Sequence, residues 1–330
     1  MELSAPVASR RRLGLKLDST ATLAIATIVL GAVVAVAAPG FLTPYNLINV
    51  LRQISLTSIM AVGFGVVAMT GGMDISMGNV AALVGMFIAA LIAYLHLNLA
   101  LAIVLALLLG ALIGTVNGVV IAYLKVPSFI ETLAMFFIAQ GVNFQATDGF
   151  PIFQGLTPAF LFIGQGYLGP FPMPVVIAAA TFLAMHFFLQ ETVHGQHIYA
   201  VGGNEESARV TGVDVARVKV TAYAIAGLCA ALTGIVITAR LGTAQPAAAG
   251  MDFFLTAITA AVLGGVSLSG GDGTMLGIAA GALFLGVLAN GLTLLKVSSY
   301  SQWTITGILL ILSIIWNSVQ KARRGAYYGS

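Results

Sequence analysis

The residues best suited to contact a polar solute lie in two short glycine-rich stretches, at 71–78 and 264–271. The first stretch reads Gly-Gly-Met-Asp-Ile-Ser-Met-Gly and the second Gly-Gly-Val-Ser-Leu-Ser-Gly-Gly, with four identical positions. Each stretch follows one apolar run and precedes another. Polar breaks at matching places in two apolar halves are typical of transporters, because interrupted helices leave backbone groups free to line a path. The pattern predicts glycine-rich helix breaks in two related halves of a protein that moves a molecule.

Polar side chains near these breaks have more than one interpretation. Asp74 could order the break or the polar groups along a pathway, or Asp74 and Ser76 could simply cap the helix that starts near Met77. Asn117 and Asn290 lie within apolar runs, so each amide needs a solute or a neighbouring helix as a partner. The candidates for the translocation path or the helix breaks are Gly71, Gly72, Asp74, Ser76, Asn117, Gln245, Gly264, Gly265, Ser267 and Asn290.

The composition places most of the chain in a lipid bilayer. Apolar residues make up 59% of the chain, charged residues 8%, and the mean hydropathy is +1.02. A soluble domain carries about 25% charged residues. We therefore predict an all-α membrane protein of one domain with about ten transmembrane helices, since each crossing needs about 20 mostly apolar residues. The predicted spans lie near 20–39, 54–72, 77–95, 98–124, 130–146, 173–190, 218–239, 252–268, 274–295 and 301–318.

The basic residues predict the orientation of these spans. Ten crossings put both termini on one side of the membrane, together with the polar loop 191–217, and most of the 14 Lys and Arg residues then share that side. Basic loops are typically cytoplasmic. We therefore predict a cytoplasmic tail at 1–19, a membrane domain at 20–318 and a cytoplasmic tail at 319–330. Segment 147–172 contains no Lys or Arg and is expected to be an extracytoplasmic loop lying on the helix ends.

Two polar segments lie outside the apolar runs. In the loop 191–217, Asn204 is a suitable helix N-cap and Gly212 a suitable C-terminal glycine, which predicts a helix of about two turns. This helix could fit a socket in another protein, or the loop could be a solvated connector. Segment 41–53 mixes apolar and polar residues, and it could be a short interfacial helix or a simple connecting turn.

Several kinds of chemistry are missing from the sequence. No Gly-x-x-x-x-Gly-Lys-[Ser/Thr] phosphate loop occurs, so the chain is not expected to hydrolyse ATP by that route. The four His residues show no metal-ligand spacing, and no metal site or catalytic residue is expected. The single cysteine, Cys229, lies in an apolar run and is not expected to be reactive. Asp74 stands nearly alone among apolar residues, which argues against a proton-coupled carrier.

Three motifs in the same order make the chain resemble permease subunits of ABC sugar importers of the ribose, xylose and arabinose type. The family's Gly-Gly-x-Asp-[Ile/Leu]-Ser-x-Gly break stands at 71–78, and its Ala-x-Gly-Gly-Asn-Glu-x-x-Ala-Arg-x-x-Gly loop runs from Ala200 to Gly212. The third motif is Gln245-Pro246 followed by Leu-Gly-Gly-x-Ser-Leu-x-Gly-Gly at 263–271. The resemblance covers about residues 41 to 318, and 194–196 depart from it, with His-Gly-Gln where the family usually has Phe-Gly-Arg.

The resemblance implies a division of labour. This chain would form the path for a small sugar in the inner membrane of a bacterium, beside a second permease chain, and a binding protein would deliver the sugar from outside. ATP and Mg²⁺ would bind a separate cytoplasmic ATPase, and no nucleic acid is involved. A self-contained secondary carrier is the main alternative, and a channel or membrane anchor is a third. The residues implied to couple to the ATPase are Ala200, Gly202, Gly203, Asn204, Glu205, Ala208, Arg209 and Gly212.

Overall fold

The structure, a computed structural model, describes residues 19–328, and the side chains among them except those at 19, 317 and 320–328. The described part of the chain is helical apart from one two-stranded hairpin. The helices are α1 (Ser19–Ala37), α2 (Pro44–Met69), α3 (Met77–Ala93), α4 (Leu99–Tyr123), α5 (Ser128–Thr147), α6 (Pro158–Gln165), α7 (Met173–Glu191), α8 (Val193–Gly203), α9 (Glu205–Val210), α10 (Val215–Leu241), α11 (Met251–Leu263), α12 (Met275–Leu294) and α13 (Ser299–Tyr328). The antiparallel strands are β1 (Tyr167–Leu168) and β2 (Phe171–Pro172).

The all-α membrane architecture is confirmed, but the count of about ten spans is not. Within residues 19–328, seven helices are long and apolar enough to cross a membrane: α1, α2, α4, α7, α10, α12 and α13. The predicted spans at 77–95 and 252–268 correspond to the shorter apolar helices α3 and α11. Both are shortened because each borders a glycine-rich break. The predicted span at 130–146 falls in α5, whose Glu, Asn, Gln and Thr residues reduce its hydropathy.

Two helices form the centre of the bundle. Nearly every side chain of α2 from Ile54 to Met69 is buried, and α10 packs against α2, α3 and α4. The α4–α10 contact depends on small residues, because a Cβ on Gly110 would lie 2.5 Å from the carbonyl oxygen of Gly227. Small residues permit such close helix packing in membranes. In contrast, α1 and α13 expose many apolar side chains, as expected of helices that face lipid.

Segment 41–53 is neither a separate interfacial helix nor a simple turn, because most of it is the beginning of α2. Thr43 is the N-cap, and its side chain accepts a hydrogen bond from the backbone N–H of Asn46. Pro44 follows at the first helical position, where its fixed φ suits a helix and its missing N–H costs nothing. The helix then continues without interruption to Met69.

Segment 147–172 has more structure than the predicted loop. It contains α6 and the β1–β2 hairpin, and Phe160 of α6 is fully buried. Ile152 forms an isolated antiparallel bridge with Ala244, which follows α10. The segment therefore packs against the end of α10 that is remote from α8 and α9, and we call this side of the bundle the opposite end.

Candidate functional site

The first predicted break begins where α2 ends in a glycine-dependent turn. Gly71 has φ +79°, a left-handed conformation that only glycine adopts without strain. Its N–H donates to the carbonyl of Ala68, and the N–H of Gly72 donates to that of Val67. These two bonds satisfy carbonyl groups that the end of a helix would otherwise leave free. The glycine pair therefore ends α2 at the predicted position.

The second break uses the same turn but one residue later than the sequence alignment implies. Here Gly265 has φ +93°, and the N–H of Val266 donates to the carbonyl of Ala261 at the end of α11. In backbone geometry Gly71 matches Gly265, whereas the sequence aligns it with Gly264. The shift is possible because each break has two consecutive glycines, so either position can supply the left-handed residue that ends the helix.

This shift separates Ser267 from Asp74, which the sequence alignment paired. Ser267 is half-buried, its hydroxyl lies 2.9 Å from that of Ser269, and its N–H donates to the carbonyl of Asp272. Asp74 is 1% exposed and serves a different purpose. Its Oδ1 accepts hydrogen bonds from the N–H of Ser76 at 2.9 Å and from the Ser76 hydroxyl at 2.5 Å.

Asp74, two residues before the N-cap Ser76, stabilises the start of α3. Ser76 is the N-cap residue of α3, but its side chain makes no capping hydrogen bond. Asp74 instead satisfies the N–H of Ser76 with its side chain, which closes a local turn typical of aspartate. The simple expectation that both residues cap the helix is therefore wrong for the Ser76 side chain.

Three neighbouring helices hold the first break in place. The Tyr223 hydroxyl of α10 donates to the carbonyl of Met73 at 3.1 Å, and the N–H of Met73 donates to the Ser128 hydroxyl of α5. From α4, the amide of Asn117 lies 3.0 Å from the Ser76 hydroxyl oxygen. Asn117 is fully buried and thus bonds the break. These contacts satisfy the freed backbone within the protein, as a nonhelical segment at membrane depth requires.

Glu131 is a member of this site that the sequence analysis missed. It lies near the start of α5 and is 8% exposed, and its Oε1 is 3.2 Å from the Asn117 amide. Asp74 is therefore not alone, because Asn117 contacts both Glu131 and Ser76, the hydrogen-bond partner of Asp74. A carboxyl group in the span predicted at 130–146 was the available signal, since such groups in membrane segments are rare and usually functional.

The predicted coupling helix is present, although it is shorter than two full turns. Asn204 caps α9, accepting a hydrogen bond from the N–H of Ser207 at 2.8 Å, and Gly212 follows the helix with φ +91°. Arg209 forms ion pairs with Glu205 and Glu206, both at 2.8 Å. The sequence therefore predicted the start and end of this helix correctly.

An ion pair also ties α9 to α10. The Lys219 ammonium of α10 lies 2.6 Å from Glu205 Oε2. The hydrogen bond from Lys219 is the main reason that the pKa of Glu205 is lowered, and the charge of Arg209 adds to the effect. Glu205 is thus ionised at neutral pH and connects α9 to the first turns of a central helix.

Segment 200–212, which the resemblance implies couples to an ATPase and which we call the coupling segment, meets both breaks at one point. We call this point the junction and define it as Met69, Gly71, Gly202, Gly270 and Gly271. The N–H of Gly271 donates to the carbonyl of Met69 at 3.0 Å, and this bond joins the two breaks. Gly202 lies against it, since a Cβ there would overlap the Met69 carbonyl oxygen and lie 2.5 Å from the Gly271 nitrogen. A Cβ on Gly270 would lie 2.8 Å from the Gly71 nitrogen. All three sequence motifs therefore converge through backbone contacts.

A polar cavity adjoins the junction. Its volume is about 640 Å³, and the residues lining it include Gly72, Lys125, Ser128, Glu205 and Lys219. It lies between the first break, the α4–α5 connection and the coupling segment. Movement of any of these three elements therefore changes the shape of the cavity.

Residues 194–196, where the sequence departs from the family pattern, form the first turn of α8. The side chain of Gln196 donates to the carbonyl of Gln190 at 3.0 Å, at the end of α7. Gly195 packs against the backbone of Phe188 and Leu189 without room for a side chain. Gln196 thus stabilises the α7–α8 connection.

The remaining predicted path residues lie away from the junction or serve packing. Asn290 exchanges hydrogen bonds with Asn46 at 2.9 Å, so the partner of its amide is a residue on a neighbouring helix, which was one of the two interpretations. Gln245 is exposed in the turn after α10, at the opposite end. Gly264 packs against the carbonyl of Gly277 between α11 and α12. Over the described range 19–328, no group of three or more His, Cys, Asp or Glu side chains could hold a metal ion.

Comparisons with known proteins agree with the three motifs. The family described as "Branched-chain amino acid transport system / permease component" matches residues 46–314. The chain is 44% identical over 294 residues to the ribose import permease protein RbsC of Escherichia coli strain K12, covering 88% of this chain and 91% of that protein. No solved structure matches the chain.

Two further relatives extend the similarity. RbsC of Bacillus subtilis strain 168 is 40% identical over 295 residues, covering 89% of this chain and 91% of the relative. The L-arabinose transport system permease protein AraH of E. coli K12 is 35% identical over 292 residues, covering 88% of each chain. Proteins with these names are transport subunits and not enzymes. The chain therefore belongs to the family of membrane permease subunits of ABC importers.

Proposed function

We propose that this chain forms the path by which an ABC importer passes a small sugar, delivered by an extracytoplasmic binding protein, across the bacterial inner membrane. Two permease chains would enclose the path, and cytoplasmic ATPase subunits would bind ATP and Mg²⁺. The names of the relatives, which import ribose or transport arabinose, support a pentose as the solute. Ribose is the first sugar to test, because the relatives at 44% and 40% identity are ribose permeases.

The junction is the observation that carries this proposal. Met69 ends the helix before the first break and Gly271 lies within the second, and both touch Gly202 of the coupling segment. No side chain lies between these backbones that could yield to an applied displacement. Packed interfaces of this kind shift between discrete arrangements and do not deform gradually. A movement of α8 and α9 therefore reaches both halves of the membrane domain at once.

The outward face of α9 is suited to contact a cytoplasmic ATPase. Glu206, Arg209 and Val210 are exposed there, whereas Ala208 is buried against the rest of the chain. The ion pair between Glu205 and Lys219 fixes α9 to α10, so force on the exposed face passes into a central helix. In the proposed cycle, ATP-driven closure of the two ATPase domains displaces α9, and their reopening after ATP hydrolysis and product release returns it.

The opposite end would receive the binding protein. Segments 147–172 and 241–252 cover this end, and the Ile152–Ala244 bridge joins them. Arg52 also lies there, donating to the carbonyl of Gln165 at 3.0 Å with its guanidinium 4.8 Å from the ring centroid of Tyr167. With the positive-inside rule, this arrangement supports cytoplasmic termini and a cytoplasmic α8–α9.

Reconstitution in liposomes tests the proposal against the alternative of a self-contained secondary carrier. The purified chain is combined with its ATPase and binding protein, and uptake of radiolabelled ribose is measured with and without ATP. We expect uptake only when ATP and both partners are present. The control is an ATPase variant lacking the lysine of its phosphate loop, which should abolish uptake. Uptake by the permease alone, driven by an ion gradient, would contradict the proposal and support the carrier.

A further inference from the structure

A buried pair of carboxyl groups lies beside the first break, without a cation to neutralise it. Asp74 is 1% and Glu131 8% exposed, and the side chains of Ser76 and Asn117 lie between them. Every ion pair among the described residues lies in α9 and α10 or at their junction with Asp214, and none involves these two groups. Two neighbouring carboxylates in a low-dielectric site cannot both be ionised without a large cost in free energy.

The hydrogen bonds around Asn117 show how many protons the pair needs. In one amide orientation Nδ2 donates to the Ser76 hydroxyl at 3.0 Å, and Oδ1 then faces Glu131 Oε1 at 3.2 Å. Two acceptors face each other unless Glu131 carries a proton. The same Oδ1 would also face the carbonyl oxygen of Ile113 at 3.2 Å, which a proton on Glu131 does not relieve, so this amide orientation is unfavourable.

The reversed amide orientation of Asn117 also requires one proton on the pair of carboxyl groups. Asn117 nitrogen then donates to Glu131 Oε1 and to the carbonyl of Ile113, both at 3.2 Å, while its oxygen accepts the Ser76 hydroxyl proton. That hydroxyl has one proton, so it can no longer donate to Asp74 Oδ1 at 2.5 Å. The short contact is satisfied only when Asp74 carries the proton. This reversed orientation is complete with one proton on the pair, held by Asp74.

A separate observation concerns the second oxygen of Glu131. Glu131 Oε2 is buried and has no hydrogen-bond partner among the described residues. An ionised carboxylate with one oxygen unsolvated is costly, so Glu131 competes with Asp74 for the single proton of the pair. The other titratable group that interacts with both carboxyls is Tyr223 of α10, whose hydroxyl donates to the Met73 carbonyl. α4 and α5 contribute Asn117, Ser128 and Thr132, which do not titrate.

We propose that Asp74 and Glu131 form a single-proton site that joins the first break to α4 and α5 and holds the break closed. Loss of the proton at alkaline pH places two negative charges on either side of Asn117, and their repulsion loosens the break. Transport then becomes slower as pH rises. The proton stays in place as a structural element, which distinguishes this site from the relay of a proton-coupled carrier.

Infrared spectroscopy of the purified chain in lipid nanodiscs tests the site directly. The wild-type protein should show a protonated-carboxyl band that disappears as pH rises from about 6 to about 9, the range in which buried carboxyl groups titrate. The double variant Asp74→Asn/Glu131→Gln should lack this band, whereas Glu131→Asp, which keeps both acids, should retain it. Glu191→Gln, which removes an exposed carboxyl at the end of α7, is the matched control and should leave the band unchanged.

Transport by the complete importer provides the second readout. Wild-type uptake should fall at least about tenfold between about pH 7 and about pH 9, relative to Glu131→Gln, since each pH unit beyond the titration point changes the protonated fraction about tenfold. Glu131→Gln should transport within about twofold of wild type near pH 7, because the variant, like the singly protonated pair, places no more than one negative charge beside the break. Thermal unfolding of each variant checks that it is folded.

Two results would overturn the site. One is an infrared spectrum in which the double variant Asp74→Asn/Glu131→Gln keeps the pH-dependent carboxyl band, and the other is an identical pH profile of uptake in wild type and Glu131→Gln. The infrared measurement needs no partner and no sugar, so its failure would leave the proposed import function untouched.

Discussion

Replacement of Gly202 by alanine should uncouple the ATPase from transport. The new Cβ would overlap the Met69 carbonyl oxygen and lie 2.5 Å from the Gly271 nitrogen. Ordinary contacts between such atoms are about 3.5 Å, so the junction must open by at least about 1 Å. The Gly271–Met69 hydrogen bond, now 3.0 Å, would then stretch to about 4 Å and be lost. The perturbation therefore separates the coupling segment from both breaks.

The free-energy cost of Gly202→Ala follows from the steric overlap and the lost hydrogen bond. Overpacking of this size costs about 1–3 kcal/mol and a lost hydrogen bond about 1 kcal/mol, which together destabilise the closed junction by about 2–4 kcal/mol. An equilibrium between two junction states would shift by about thirtyfold to several hundredfold. We expect ATP-driven uptake in liposomes to fall at least about tenfold, while the ATPase remains bound to the permease.

Gly203 provides a matched control one residue away. A Cβ on Gly203 meets no atom within 4 Å, so Gly203→Ala adds the same methyl group at the same end of α8 without a steric overlap. This variant should transport at the wild-type rate. Equal uptake by Gly202→Ala and Gly203→Ala would refute the reasoning, because it would show that tight packing at the junction has no role in coupling.

Three further predictions concern the coupling segment and the topology. The double variant Glu205→Ala/Arg209→Ala should reduce uptake while leaving membrane insertion intact. Uptake at the wild-type rate would show that the ATPase contact lies elsewhere. Because the pKa of Glu205 is lowered in the fold, its ion pairs stabilise the folded state at pH values above the ordinary glutamate pKa. This stabilisation is lost as pH falls below about 4. Glu205→Gln should therefore lower the free energy of unfolding at neutral pH by less than about 1 kcal/mol, because the pair is partly exposed, and by nothing at acidic pH. Cysteines at Ser9 and Ser330, outside the described residues, should resist an impermeant thiol reagent in whole cells when Cys229 is absent, and labelling of either would overturn the cytoplasmic termini.

Much of the architecture was predictable because its causes are local. Apolar runs marked the long helices, Asn204 and Gly212 marked the limits of α9, and the glycine pairs marked the two breaks. Each of these signals depends on a residue and its near neighbours in the chain, such as a side chain that caps its own helix. Sequence alone therefore supported an all-helical membrane protein with interrupted helices.

Other features exist only through packing between distant segments. Gly85 looks like an ordinary glycine in an apolar span, but a Cβ there would lie 3.1 Å from the Gly234 carbonyl of α10. Glu131 looks like a lone acid until α4 brings Asn117 between it and the first break. The junction likewise joins Met69, Gly202 and Gly271, which are far apart in the chain. Tertiary structure decided these contacts, because backbone approach and buried hydrogen bonds depend on which helices pack together, and a single sequence does not specify those neighbours.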